Sequence, residues 1–232
     1  MQRVIVGSAT VLLGLALLSL AVPRLIANLL LLSGSVGIAH ALNGELISDQ
    51  GYKRAFEAGD AALGWVELPE VRKGLGGMLY YRAQNADVLK LDVPATLEQG
   101  RRELELGLAE EPADGLAWAW LSDIRRFQGN PDSASKALRV SILSAPRDVN
   151  LAPLRAGIAL ALWAHLDPDT RGLAEADVRR ALGTTSGGSF VRRARDSDLL
   201  TPLRRTVAGD SVANASLWLL LRHDQSAGRG EP

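Results

Sequence analysis

Few residues in this chain are of the types that do covalent or metal chemistry. It has no cysteine and three histidines in 232 residues, so thiolate nucleophiles, disulfides, thiolate zinc sites and iron–sulfur ligation are excluded. Ser133-Ala134-Ser135-Lys136 spells the S-x-x-K of serine acyl-enzymes, where a lysine activates the hydroxyl. The S-D-N and K-T-G elements that complete such a site are missing, so the run reads as the start of a helix. His165, Asp167 and Asp169 offer donors without the converging third and fourth ligands that a metal requires. Asp167 is better suited to cap a helix that opens at Pro168. Gly183-Thr184-Thr185-Ser186-Gly187-Gly188-Ser189 lacks the G-K-[ST] ending of a phosphate loop, has no strand before it, and reads as a flexible linker. No catalytic residue, metal or cofactor is expected.

Charge gives a different kind of chemistry. The 26 basic and 26 acidic residues cancel, which argues against nucleic-acid binding by bulk electrostatics. The distribution is uneven. Residues 46–170 carry 14 basic and 18 acidic side chains, whereas 171–232 carry 10 and 7, a net +3. Arg192, Arg193, Arg195, Arg204 and Arg205 cluster in that last segment and are candidates for contact with an anionic surface, balanced in part by Asp196 and Asp198.

These side chains are positioned by helices, and the first is a candidate membrane span. Val4–Val22 is uncharged for 19 residues, fourteen of them Val, Ile, Leu or Ala. As a helix it rises about 28 Å, close to the ~30 Å hydrocarbon core of a bilayer. Pro23 and Arg24 are read as its end. The run is longer than the roughly 7–15 residues of a signal-peptide core, which favours an uncleaved anchor. The anchor is set at 1–23 and an interfacial or docked lead-in at 24–47. The alternative is a second span over 25–42, which needs a reversal at Pro23-Arg24 and would place the body in the cytoplasm rather than the periplasm.

Beyond residue 45 nothing alternates like a strand. Apolar residues recur at helical spacing: Leu97, Leu104, Leu108; Leu116, Trp120, Ile124, Phe127; Ala134, Leu138, Ile142. Prolines 94, 112, 131, 146 and 168 punctuate them. The expectation is an all-α chain of antiparallel helices joined by short loops.

Pro112 and Pro146 lie 34 residues apart, and between them Trp118, Leu121, Ser122, Gly129, Ala134, Leu138 and Pro146 follow the order of a tetratricopeptide repeat. Arg125 departs from the usual aromatic. Gly100, Leu104, Gly107 and Pro112 match the second helix of a preceding repeat, whose first helix is sought near Tyr81–Leu91. Asp49–Trp65 is expected to pair with the helix from Pro69, and Arg147–Ala164 with Pro168–Leu182. Residues 48–182 therefore resemble a degenerate tetratricopeptide-like α-solenoid, followed by a Gly/Ser- and Arg-rich linker at 183–197, C-terminal helices at 198–223 and a disordered tail at 224–232. The resemblance implies a binding groove on the first-helix side, here Leu116, Ala119, Asp123, Arg126 and Phe127, with Arg82 and Asn85 one repeat earlier.

The layout, with Pro23-Arg24-Leu25 after the anchor, Pro146-Arg147, Arg155 and Trp163, also resembles bacterial membrane-anchored repeat proteins associated with polysaccharide biosynthesis. It implies a non-enzymatic adaptor in the inner membrane, with protein partners of the cell envelope and no nucleic acid. A chaperone-like receptor for envelope clients, such as one serving cytochrome c maturation, is the alternative, as is an enzyme with an unrecognised carboxylate pair.

Overall fold

The computed structural model describes residues 2–34, 48–85 and 92–227, and places eleven α-helices and one 3₁₀ turn there, with no strand among the described residues. The chain divides into two compact units, Met1–Glu111 and Pro112–Pro232, with the boundary inside the segment expected to form one repeat domain.

In the first unit, α1 spans Gln2–Leu32 in one continuous helix with Pro23 inside it. The expected end of the helix at Pro23-Arg24 is therefore corrected, and the reversal required for a separate second span from residue 25 does not occur. Proline removes one backbone donor, but the turns beyond it are held by packing. Ala27 is fully buried, and Leu30 and Leu31 pack with it against Ala55, Ala62, Tyr52 and Phe56 of α2 (Asp49–Leu63). Gly34 completes the approach: a Cβ there would lie 2.8 Å from the Ala55 Cα and 2.9 Å from the Ala58 Cβ. Leu12–Leu32 is the one described segment long and apolar enough to cross a membrane, and its leucines at 12, 13, 15, 17, 18, 20, 25, 29 and 32 are exposed. Residues 35–47, which include the rest of the expected lead-in, lie outside the described residues.

Helix α3 (Pro69–Gln84) pairs closely with α4 (Val93–Glu110) rather than with α2. The helix preceding Gly100–Gly107 is thus Pro69–Gln84, not the Tyr81–Leu91 stretch read from sequence, of which 86–91 lie outside the described residues. Glycine permits the close contact. A Cβ on Gly76 would sit 2.6 Å from the Leu104 Cγ and 3.0 Å from the Gly100 carbonyl oxygen, and one on Gly107 would sit 2.8 Å from the Pro69 carbonyl oxygen. Gly76→Ala should therefore lower the stability of this unit by about 1–3 kcal/mol through overpacking, read as a lower urea midpoint; an unchanged midpoint would mean that Leu104 yields freely.

On α4, Glu98 accepts from Arg101 at 2.7 Å and Arg102 at 3.0 Å, and Arg101 also binds Glu105 at 2.5 Å. The Arg101 hydrogen bond, then that of Arg102, holds the Glu98 carboxyl down at about 2. A depressed carboxylate contributes stability above its ordinary value, and that contribution is lost as pH falls through the lowered one. A carboxyl-resolved NMR titration should give Glu98 a midpoint near that value, with Arg101→Gln returning it toward the ordinary range.

In the second unit, α5 (Gly115–Phe127) and α6 (Pro131–Ser144) run antiparallel, tied at both ends by hydroxyl groups. Ser122 Oγ donates to the Ala134 carbonyl at 2.8 Å, and Ser141 Oγ donates to the Gly115 carbonyl at 2.5 Å. The turn between them uses Gly129 at φ +74°, where glycine carries no steric penalty. Asp114 caps α5 and Asn130 caps α6, with Pro131 at the first helical position. Next, α7 (Ala152–Ala161) and α8 (Pro168–Gly183) form a further pair, with Asp167 capping α8 as expected.

The segment expected to be a linker is folded. α9 spans Gly187–Asp196 and buries Phe190, Val191 and Ala194; only three residues separate it from α8. Periodicity at Phe190, Val191 and Ala194 overrides the glycine-rich composition. A Cβ on Gly187 would lie 2.9 Å from the Leu182 carbonyl oxygen, so glycine serves a tight joint here. α10 (Leu200–Val207) and α11 (Ser211–Ala227) add Leu203, Val207, Leu217 and Leu221 to the same core as α7–α9. Helix α11 passes the expected end at 223, and residues 228–232 lie outside the described residues.

Candidate functional site

The expected groove residues are divided between the units: Arg82 and Asn85 belong to the first, and the other five to the second. On α5 they do not form one exposed stripe. Ala119 is fully buried in a cluster with Ala134, Leu138, Ile142 and Ile158, so it offers no surface to a partner. This corrects its assignment to the groove: at residue 119 the helix faces its neighbours, and only after a further two turns does this side reach solvent. Leu116 is half-buried.

The polar end is a constructed surface. Asp123 is only 5% exposed, and its Oδ1 accepts from Arg126 Nε at 2.6 Å. That bond fixes the guanidinium, whose central carbon stands 4.1 Å from the centre of the Phe127 ring. Phe127 itself is 53% exposed. A cation held over an aromatic face is worth about 0.5–1 kcal/mol at an exposed site and more when a partner removes water from it. The pair therefore presents a rigid, amphipathic patch.

Arg82 occupies an aromatic recess in the first unit. Its guanidinium lies 3.6 Å from the centre of the Tyr52 ring and binds Asp49 at 2.9 Å; Tyr52 stacks on Phe56 with ring centres 6.0 Å apart. Lys53, Glu57 and Gln99 complete the lining. Burial pushes the Tyr52 hydroxyl up, and the charge of Arg82 opposes this. The i,i+4 spacing of Tyr52 and Phe56 was the available sequence signal for this recess. Asn85 closes α3, donating its side-chain amide to the Tyr81 carbonyl.

The other chemical candidates resolve into structure. The Ser133 amide donates to the Asn130 cap, and Lys136 is exposed on the next turn. Asp167 accepts from the Thr170 hydroxyl at 2.6 Å and the Thr170 amide at 2.9 Å, which hold its carboxyl below the usual range, and it also accepts from Arg139. His165 Nδ1 stands 3.7 Å from Asp132. No group of three or more His, Asp or Glu side chains is placed to hold a metal among the described residues. Arg192, Arg193 and Arg195 are exposed on α9, and Arg204 and Arg205 on α10.

Sequence reasoning missed the second unit's buried ionic network. Arg155 on α7 and Asp177 on α8 are both 0% exposed. Arg155 Nε donates to Ser141 Oγ at 2.9 Å and Nη1 to the Ala145 carbonyl at 2.9 Å, while Nη1 stands 3.8 Å from Asp177 Oδ2. Asp177 Oδ1 accepts from Arg180 at 2.6 Å. Desolvation lowers the Arg155 pKa and raises that of Asp177, each opposed by the charge of the other.

The class these observations define is an all-helical protein of paired helices with an N-terminal helix apolar enough to span a membrane. Comparison of the chain with family models, with curated proteins and with solved structures finds no match.

Proposed function

We propose that the protein is a membrane-anchored, non-catalytic adaptor of the bacterial cell envelope, which uses its tetratricopeptide-like helix pairs to hold a protein partner, in polysaccharide biosynthesis or export. The observation that carries this reading is the Asp123–Arg126–Phe127 arrangement, a pre-positioned arginine over an exposed ring. Aromatic and arginine side chains of this kind dominate interface energies, because they bring large area at low entropic cost. The apolar helix α1 supports the anchoring, and its unbroken course through Pro23 supports a single pass; the inner membrane and a periplasmic body are part of the proposal.

Crosslinking in native membranes followed by partner identification tests the proposal. Phe127→Ala and Arg126→Glu should each weaken partner recovery, with Phe127→Ala costing about 2 kcal/mol, or ~30-fold in affinity, while circular dichroism stays unchanged. Asp123 is too buried to serve for charge reversal without disturbing the fold. Undiminished recovery in both variants, or turnover of a glycan substrate by the purified chain, overturns the adaptor reading. A compartment reporter fused after residue 232 should read periplasmic.

A further inference from the structure

The C-terminal helices leave an exposed surface that the partner-binding face does not use. Helix α11 buries Ala213, Leu217 and Leu221 in the core of its unit. The opposite side carries Val212, Ala215, Leu219 and Arg222 at i, i+3, i+7 and i+10, all exposed, with Trp218 beside them and 49% exposed. Three large apolar side chains on one solvent-facing side of a short helix require a reason, since single exposed hydrophobes are ordinary and clustered ones are not. The Arg204 guanidinium of α10 stands 5.4 Å from the centre of the Trp218 ring, and Arg222 follows Trp218 by one turn. Arg193, Arg204, Arg205 and Arg222 have no carboxylate partner among the described residues. Residues 187–227 contain six arginines against four aspartates.

We infer that this surface lies on an anionic lipid bilayer, with Val212, Trp218 and Leu219 entering the headgroup boundary and Arg204, Arg205 and Arg222 meeting lipid phosphates. Tryptophan flanked by leucine and valine, with arginines at the margin, is the composition of an interfacial helix rather than of a spanning one. Arginine stems cover apolar surface while their heads stay with the phosphates. Charge complementarity selects the lipid: the arginines favour an acidic headgroup over a zwitterionic one. The inference rests on the reading of α1 as an anchor only in that the anchor keeps a bilayer within reach.

Because the chain has no cysteine, Ala215→Cys in the full-length protein carries a single environment-sensitive fluorophore at the centre of the surface. In nanodiscs containing phosphatidylglycerol the label should be blue-shifted and shielded from aqueous iodide, with both effects reversed by high salt and absent in phosphatidylcholine discs. Each arginine at an anionic surface strengthens docking about fivefold, so Arg204→Ala with Arg205→Ala should lower the docked-to-free ratio about 25-fold. Identical spectra in the two lipids overturn the inference. So does a blue shift that depends on protein concentration, which would mean that a second copy covers the surface. Carbonate extraction of native membranes tests α1 separately: release of the protein fails the anchor reading, while the label still decides the surface.

Discussion

Replacing Arg155 with methionine should destabilise the second unit by about 3–5 kcal/mol, the range expected when one member of a buried charged network is removed. Two groups lose their donor at once, the Ser141 hydroxyl and the Ala145 carbonyl at the end of α6, and Asp177 loses the opposite charge that stands 3.8 Å from its Oδ2. Asp177 keeps Arg180 on its other oxygen, but without Arg155 its buried charge is opposed by one guanidinium fewer, which pushes its pKa further up. The raised pKa of Asp177 sets the sign of the pH dependence. A carboxyl whose folded pKa is raised contributes most below its unfolded value, and loses that contribution as pH rises through the folded one. The Arg155→Met penalty should accordingly be smallest in acid and grow toward neutrality. Joining Asp177→Leu to Arg155→Met should recover much of the loss, because apolar groups of similar volume satisfy themselves where a lone carboxylate cannot. Four of the five tryptophans, at 118, 120, 163 and 218, lie in this unit, so fluorescence-detected urea unfolding of the full chain reports mainly on it. Additive losses in the double variant would show that Arg155 and Asp177 are energetically independent.

That network illustrates which parts of the molecule were legible in the sequence. Some helix starts were, because local chemistry decides them: Asn130-Pro131 and Asp167-Pro168 each supply a side-chain cap and a proline at the first helical position. Small residues also marked a close approach, with Ser122 and Ser141 placed where α5 and α6 touch. The candidate surface was legible in part. The repeat resemblance grouped Asp123, Arg126 and Phe127, but it counted Ala119 with them, since a groove-facing alanine and a core alanine look the same in a sequence. Arg155 and Asp177 are 22 residues apart on different helices, and no local pattern marks a charge that tertiary packing will bury. The glycine run at 183–189 misled for a related reason. Composition records the flexibility available to a segment, whereas Phe190 and Val191 determine whether that freedom is used.

The largest effect in the first unit should come from where α1 is cut. Residues 24–32 are expected to lie at the interface or dock on the domain, and the structure packs them into the core of the first unit. Ala27, Leu30 and Leu31 cover Ala55, Ala62, Tyr52 and Phe56, which would otherwise face water, and Gly34 closes against Ala55. A chain beginning at Arg24 should leave the membrane fraction while its first unit keeps near-native stability. A chain beginning at Ser48 should lose about 3–6 kcal/mol from that unit, from the partial burial of two leucines and an alanine together with the surface they cover on α2. Gly76→Asp, on α3 and remote from α1, serves as the control for a first unit unfolded by other means. The measurement is hydrogen exchange across α2 and α3 (Asp49–Gln84), which separates this unit from the tryptophan signal of the other. Faster exchange in both truncated chains would place the stabilising contacts before Pro23, and equal protection in both would mean that the end of α1 rests on α2 without holding it. Faster exchange only in the shorter chain would give α1 two consecutive functions, an apolar stretch suited to lipid and a terminal segment that builds the domain it carries. In that case the orientation of the first unit at the membrane is set by a continuous helix and not by a flexible tether, since no linker intervenes between Leu12 and Leu32.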